Sequence, residues 1–147
     1  MAKKAAQTGL GPVTVISIEQ HFLKEQRILE DDFAKFMLST GLRAFTSLMR
    51  FSGLRQWLIN KSETQIPGIW GSMLIRKRYI DDKAKASIPD VEAVVNLGAG
   101  FDTRFFRVPE MKSLPVWELD QPVNITAKQS QIIKSLSAVP SNLHRGK

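Results

Sequence analysis

Residues 94–104 have the sequence Val-Val-Asn-Leu-Gly-Ala-Gly-Phe-Asp-Thr-Arg, and this stretch decides the fold. A short β-branched run that ends at once in glycines is typical of a buried strand in a parallel sheet. Glycines at the carboxyl end of such a strand allow a tight turn and leave space for a ligand. The sequence therefore predicts a strand over residues 91–97 and a ligand-binding turn at Gly98, Ala99 and Gly100.

A second strand is predicted at residues 115–120, after a short helix near residues 102–107. The crossover is long enough to join two parallel strands. Asp120 ends the second strand and follows Gly98 by 22 residues. An acid about 20 residues after a glycine turn can accept hydrogen bonds from ribose hydroxyls. We therefore expect Asp120 to lie beside the glycine turn, at the edge where open α/β sheets bind ligands.

Helical patterns flank the two predicted strands. Apolar spacing predicts four helices before the first strand, beginning with one over residues 14–29, a loop over 61–68, and a helix over 122–138 after the second strand. The predicted organisation is a mobile leader (1–12), a helical cap region (13–88), the first part of a cofactor-binding domain (89–138) and a tail (139–147). Two strands cannot cover their own faces. The sequence therefore predicts an incomplete α/β fold, completed by later strands, by a partner chain or by the remainder of a truncated gene product.

Composition excludes several kinds of protein. The 147 residues include no cysteine, which rules out disulfide scaffolds, cysteine-ligated metal sites and a cysteine nucleophile. No apolar run approaches the roughly 20 residues of a membrane helix, and no secretory signal is recognisable, so a cytoplasmic location is expected. The three tryptophans are predicted to be core aromatics.

The basic balance, 21 Lys and Arg against 14 Asp and Glu, gives a net charge of +7 that is spread along the chain. A nucleic-acid-binding surface would instead concentrate basic and aromatic residues. The nearest candidate is Arg76-Lys77-Arg78-Tyr79, which a solvated helix face explains equally well. Nucleic-acid binding is therefore not expected, whereas an anionic ligand or partner stays open.

The turn favours one nucleoside cofactor over another. A dinucleotide turn needs a third glycine, and here Thr103 stands in that position. Asp102 would place negative charge near a diphosphate, but its charge suits the cationic amino-acid part of S-adenosylmethionine. The residues therefore favour S-adenosylmethionine over NAD.

The segments Asn-Leu-Gly-Ala-Gly-Phe-Asp-Thr-Arg-Phe-Phe-Arg (96–107) and Trp-Glu-Leu-Asp-Gln-Pro (117–122) resemble the leucine carboxyl methyltransferase family. Residues 27–34 and 75–82 are similar to two earlier segments of that family, with Asp32 in place of its proline. The resemblance implies a Rossmann-like class I methyltransferase fold. It also implies that relatives continue past this chain, carrying the adenine-binding segment and most of the acceptor pocket.

The resemblance also implies residue roles. Arg76, or Arg78 in an alternative register, would bind the cofactor's carboxylate. The turn at Gly98, Ala99 and Gly100 would underlie its methionine part, and Asp120 would hold the ribose. Independently of the resemblance, Asp102 is expected to be split between holding the turn and polarising the cofactor's ammonium. The family's amino-terminal basic anchor has no clear counterpart, since Gln20 and His21 occupy its region with Lys24 nearby.

The expected function is methyl transfer from S-adenosylmethionine to a carboxylate or hydroxyl of a small-molecule or peptide acceptor. No catalytic residue and no metal site is identified. Two alternatives stay open: an inactive fragment that acts only by binding, and an NAD-dependent oxidoreductase. Because the predicted sheet is incomplete, self-association of the chain is also predicted.

Overall fold

A computed structural model describes residues 9–135 and 140–146, so predictions for residues 1–8, 136–139 and 147 lie outside the described residues. Six α-helices occur in that part of the chain: α1 (Leu10–Glu19), α2 (Thr40–Leu48), α3 (Ser52–Gln65), α4 (Ile69–Ser87), α5 (Arg104–Arg107) and α6 (Pro122–Ser135). Single 3-10 turns occur at Lys24–Gln26, Ala34–Met37, Ile88–Asp90 and Pro109–Ser113.

Three strands, β1 (Val94–Leu97), β2 (Val116–Leu119) and β3 (Leu143–Gly146), form one parallel sheet in the order β1-β2-β3. The predicted α/β class, with helices first and a parallel sheet after them, is confirmed. Residues 139–147 were predicted to be a tail, but part of that segment forms β3, which makes the sheet three-stranded instead of two-stranded.

Local hydrogen bonds explain where several helices begin and end. The first helix ends at Glu19, ten residues earlier than predicted, because Glu19 and Gln20 turn the chain back. The Glu19 carboxylate accepts the N–H of Ile28 at 2.7 Å, and the Gln20 side-chain amide donates to the carbonyl of Leu29 at 2.9 Å. The loop predicted over residues 61–68 is shorter, because α3 continues to Gln65.

The hydrophobic core lies between the amino-terminal helices and one face of the sheet. Its buried members come from every part of the described chain and include Val13, Met37, Leu74, Phe105, Val116, Ile132 and Leu143. Helices α5 and α6 therefore both pack on the face of the sheet that carries Val116 and Leu143. Two of the tryptophans depart from the prediction, since Trp57 is 56% exposed and Trp117 is 37% exposed.

A group of three charged residues is buried on the same face of the sheet. Glu118 of β2 accepts hydrogen bonds from Lys128 Nζ at 2.7 Å and from Arg145 Nε at 3.1 Å. Lys128 is fully buried, and burial lowers its pKa although Glu118 opposes that effect. Through this group α6 and β3 are both tied to the middle strand.

Within residues 9–135 and 140–146, no helix has both the length and the apolar composition that a membrane crossing requires.

Candidate functional site

The turn after β1 has the backbone shape that the glycines predict. Gly98 (φ +65°) and Gly100 (φ +46°) adopt left-handed conformations, which other residues enter only at a cost of about 1–3 kcal/mol. The N–H groups of Gly98 and Ala99 both donate to the carbonyl of Leu119, at 2.8 and 3.2 Å. The turn is thereby attached to the end of β2.

Asp120 lies against this turn. Its Oδ2 accepts the N–H of Gly100 at 2.6 Å, and its Oδ1 accepts the N–H of Gln121 at 2.6 Å and the Asn124 side-chain amide at 2.7 Å. Burial alone would raise the pKa of Asp120, but the bonds from Asn124, Gly100 and Gln121 together outweigh burial and lower the pKa. The carboxylate is therefore ionised at neutral pH and held at the glycine turn, as the spacing predicts.

The acid retains some capacity to accept hydrogen bonds. An ionised carboxylate has about four acceptor positions, and the protein fills three of them at Asp120. Beside it, the side-chain oxygen of Asn124 is buried and has no hydrogen-bond partner among the described residues. A ligand with a hydroxyl group would find one free acceptor position on Asp120.

A cleft of about 450 Å³ opens in front of the turn. It is lined by the turn, by one side of α4 and by the start of α1: Gly9, Pro12, Val13, Arg76, Lys77, Ile80, Asn96, Gly98, Ala99, Gly100, Phe101, Asp102 and Arg104. Asp120 does not line the cleft itself, but its contact with Gly100 places it at the back of the turn.

The two arginines that the sequence leaves as alternatives have different surroundings. Arg76 lines the cleft and makes no side-chain hydrogen bond or ion pair within the described part of the chain. Arg78 instead bonds to the Asp82 carboxylate at 3.0 Å and to the carbonyl of Ile28 at 3.3 Å, and it lines a separate hollow of about 280 Å³. Of the two, Arg76 is the one that faces the glycine turn.

Asp102 also lines the cleft, but cations surround its carboxylate. It lies 2.9 Å from Arg104 Nη1, 3.6 Å from Lys77 Nζ and 3.8 Å from Arg107 Nη2. It accepts the N–H of Arg104 at 3.0 Å and the side-chain amide of Asn96 at 3.3 Å. Burial alone would raise the pKa of Asp102, but Lys77 and Arg104 outweigh burial and hold the pKa below its usual range.

These contacts correct one step of the sequence argument. The sequence predicts that Asp102 disfavours a diphosphate, but Lys77, Arg104 and Arg107 neutralise its carboxylate, so this prediction is wrong. Holding the turn is the role that the contacts of Asp102 support. Asp102 therefore does not by itself distinguish a sulfonium cofactor from a diphosphate.

A wider ion network connects the turn to the amino-terminal helices. Arg107 pairs with Asp31 at 3.2 Å and also with Asp81 of α4. Arg104 pairs with the same Asp81 at 2.8 Å, and Thr103 donates to Asp31. Arg104 and Arg107 are therefore both paired with acids and connect the turn to α4.

The cleft also contains residues that the sequence does not predict. Its lining includes Lys77, Asn96, and Pro12 and Val13 at the start of α1. For Lys77 and Asn96, the only sequence signal is that they lie within two residues of Arg76 or Gly98. The region around Gln20 and His21, where the family's amino-terminal basic anchor is expected, lies away from the cleft. Gln20 and His21 line a different cavity, of about 270 Å³, and Lys24 pairs with Glu30 at 3.6 Å on the surface.

Acid titration tests the ion pairs of Asp102. Because its pKa is lowered in the folded state, its stabilising contribution is present above about pH 4 and is lost as the pH falls through the folded pKa. Urea unfolding from pH 6 to pH 2.5 should show a shallower loss of stability in Asp102→Asn than in the parent chain. Asp31 has a raised pKa, so its contribution to stability changes with pH in the opposite direction. Both proteins contain Asp31, so this contribution cancels when their stabilities are subtracted. Parallel curves would contradict the assignment.

Comparisons with known proteins agree with the geometry. The sequence pattern of the family described as leucine carboxyl methyltransferase matches residues 13–146. Proteins from Mycolicibacterium gilvum and Mycobacterium avium, each carrying the name of an S-adenosyl-L-methionine-dependent methyltransferase, are 29% identical over 120 residues. A protein of the same name from Mycobacterium tuberculosis is 32% identical over 120 residues.

Each of these alignments covers 80% of this chain but only 39%, 39% and 34% of the respective relatives. The chain thus spans less than two fifths of the length of the relatives it matches. The match nevertheless runs through the helices, the glycine turn and the following strands. On this evidence the chain belongs to the leucine carboxyl methyltransferase family.

Proposed function

We propose that this chain binds S-adenosylmethionine at the glycine turn and forms the cofactor-binding part of a methyltransferase. The hydrogen bond between Asp120 and the N–H of Gly100 is the observation that carries the proposal, because it joins the acid predicted to bind ribose to the turn at one edge of the sheet. Family membership supports the same cofactor, since the relatives are named for it.

The residues around the turn fit the parts of this cofactor. Arg76, without a protein partner among the described residues, would bind its carboxylate. Gly98 and Gly100 remove side chains where its methionine part would lie, and the free position on Asp120 would accept from a ribose hydroxyl. Binding one hydroxyl therefore does not require Asp120 to give up a bond to the protein.

When bound, S-adenosylmethionine supplies a methyl group already activated by its sulfonium. The chain's own contribution would then be to position the cofactor and limit access of water, more than to move protons. A carboxylate acceptor needs no general base, and the family's description favours it over a hydroxyl. We propose O-methylation of a carboxylate on a small molecule or peptide, in the cytoplasm.

Titration calorimetry with S-adenosylhomocysteine tests the proposal, with NADH as the competing ligand. Saturable binding of S-adenosylhomocysteine, with none of NADH, is the expected result. The cations of the cleft could also suit a diphosphate, so saturable NADH binding would revive the oxidoreductase alternative. If S-adenosylhomocysteine produces no heat at millimolar concentration, the site is not competent and the proposal fails. Cofactor binding without methyl transfer would leave a binding-only protein.

A matched pair of arginine variants tests the carboxylate-binding role. Arg76→Gln should weaken S-adenosylhomocysteine binding about 5- to 10-fold, since one charge-assisted hydrogen bond at an exposed site is lost. Arg78 lies two residues further along α4 and bonds to Asp82, so Arg78→Gln should leave the affinity unchanged. Equal effects from the two variants, measured by calorimetry, would refute the register.

A further inference from the structure

Positive charge is unopposed over residues 33–62. This segment contains no aspartate or glutamate but five basic side chains: Lys35, Arg43, Arg50, Arg55 and Lys61. The ion pairs of the described chain all lie outside it. A charge of +5 out of the chain's net +7 therefore lies in one segment, a concentration that counts over longer stretches conceal.

The same segment exposes a row of apolar side chains. Leu48 at the end of α2, Phe51 before α3, and Leu54 and Trp57 within α3 follow one another at intervals of three. Their exposed fractions are 52%, 55%, 38% and 56%. Helix α3 has 14 residues, and none of them is buried among the described residues. Because side chains three residues apart are neighbours on a helix surface, α3 presents an apolar stripe to solvent.

Cations lie over this row of apolar side chains. The Arg50 guanidinium is 4.8 Å from the centroid of the Phe51 ring, and Lys61 Nζ is 5.0 Å from the centroid of the Trp57 ring. Lys61 follows Leu54 by seven residues, about two turns, so both lie on the same side of α3. Together these side chains form a basic apolar face: Leu48, Arg50, Phe51, Leu54, Trp57 and Lys61.

The electrostatic potential beside this face is positive. Burial lowers the pKa of His21, and the charges of Arg55, Arg27 and Arg50 lower it further, against the effect of the hydrogen bond between the imidazole and the Thr46 carbonyl. Arg27 comes from outside the basic segment, so it adds to the positive charge of the segment's own arginines. The face is therefore suited to a partner that carries negative charge and accepts apolar side chains.

We propose that the basic apolar face binds the surface of an anionic lipid bilayer. Its leucine and aromatic side chains would enter the boundary between headgroups and acyl chains, where tryptophan is enriched. Its arginine and lysine would stay at the level of the headgroup phosphates and add electrostatic attraction. This proposal depends on neither the cofactor nor methyl transfer.

Other occupants fit the face less well. A second copy would bring two sets of unopposed cations together. A protein partner would bury charge at the centre of the contact, where interfaces are depleted of charged residues. Nucleic-acid bases would need open ring faces on which to stack, but cations already lie over Phe51 and Trp57. A bilayer offers an apolar interior and anionic headgroups side by side.

Co-sedimentation of the 147-residue chain with vesicles tests the proposal. Phosphatidylcholine vesicles containing roughly one third phosphatidylserine are compared with pure phosphatidylcholine vesicles. We expect binding to the anionic vesicles to be at least about 10-fold tighter and to weaken as salt is added. Tryptophan emission should shift to shorter wavelength on binding. Trp57→Phe should still bind and lose most of that shift, because Trp57 is the tryptophan on the face.

Two double variants test the role of charge. Arg50→Gln combined with Lys61→Gln should weaken vesicle binding about 30-fold, because each cation near an anionic surface contributes to affinity. Lys112→Gln combined with Lys134→Gln removes the same charge from two exposed positions outside the face. This control should weaken binding by no more than about threefold.

Two single variants test the apolar contact. Leu48→Ser should weaken vesicle binding about 5-fold, because less apolar surface would leave water. Ile133→Ser changes a similarly exposed residue (64%) of α6 and should leave vesicle binding unchanged. Circular dichroism verifies that every variant still folds.

Several outcomes would overturn the proposal. Equal binding to the two kinds of vesicle would do so, as would equal losses in the two double variants or unchanged binding by Leu48→Ser. Light scattering that shows a dimer, dissociated by Leu48→Ser, would assign the face to a second copy. If the chain bound a single-stranded oligonucleotide through Arg50 and Lys61 and did not bind vesicles, the face would belong to nucleic acid instead.

Discussion

Asp120→Asn should weaken binding of S-adenosylhomocysteine about 10- to 100-fold. The substitution keeps the size of the side chain but removes the charge that hydroxyl donors would meet, and a hydrogen bond to a charged group is worth about 1.5–3 kcal/mol. Asn also replaces one acceptor oxygen by a donor that would face the N–H of Gly100 or Gln121. Calorimetry measures the loss directly.

Asp82→Asn is the matched control for this variant. Asp82 is an exposed carboxylate on α4 that pairs with Arg78 outside the cleft, so its removal should leave the affinity within a factor of about two. Thermal unfolding of both variants separates lost binding from lost folding. Wild-type affinity in a folded Asp120→Asn protein would remove the ribose-binding role and with it the basis of the cofactor proposal.

Lys128→Met should lower the free energy of unfolding by about 3–5 kcal/mol, the usual cost of breaking a buried ion pair. Lys128 is fully buried with its Nζ 2.7 Å from Glu118, so the methionine would leave Glu118 with Arg145 alone. Small domains have only about 5–15 kcal/mol of stability in total. Urea unfolding would therefore show a midpoint far below that of the parent chain.

Two comparisons define the cause of that loss. Lys134→Met changes an exposed lysine of the same helix and should shift stability by no more than about 0.5 kcal/mol. Adding Glu118→Gln to Lys128→Met would deprive the buried Arg145 of its carboxylate partner as well, so the double variant should be less stable than Lys128→Met. If Lys128→Met matches Lys134→Met, the buried group does not stabilise the sheet.

The glycine turn and its acid could be predicted because their signals are local. A β-branched run followed by Gly98 and Gly100 specifies its own backbone shape, and the spacing to Asp120 follows from the length of one crossover. The apolar spacing also predicts a helix over residues 69–86, close to the observed bounds of α4, Ile69–Ser87, because that signal is local too.

Features that depend on distant partners could not be predicted. Strand β3 has a polar sequence, Leu-His-Arg-Gly, and becomes a strand through its pairing with β2 and the contact of Arg145 with Glu118. The neutralisation of Asp102 required knowing that Lys77 lies beside it. The sequence also predicts Trp117 to be a core residue, whereas its side chain is 37% exposed, and no local signal indicates which face of the sheet is covered.

Helix α4 carries both a wall of the cleft and an anchor of the ion network. Arg76 and Asp81 are five residues apart, about 7.5 Å along the axis. Asp81 is paired with Arg104 and Arg107, so the helix cannot rotate or slide without breaking both pairs. A ligand arriving at Arg76 would therefore meet a preorganised wall and lose less conformational entropy on binding than at a loosely held helix.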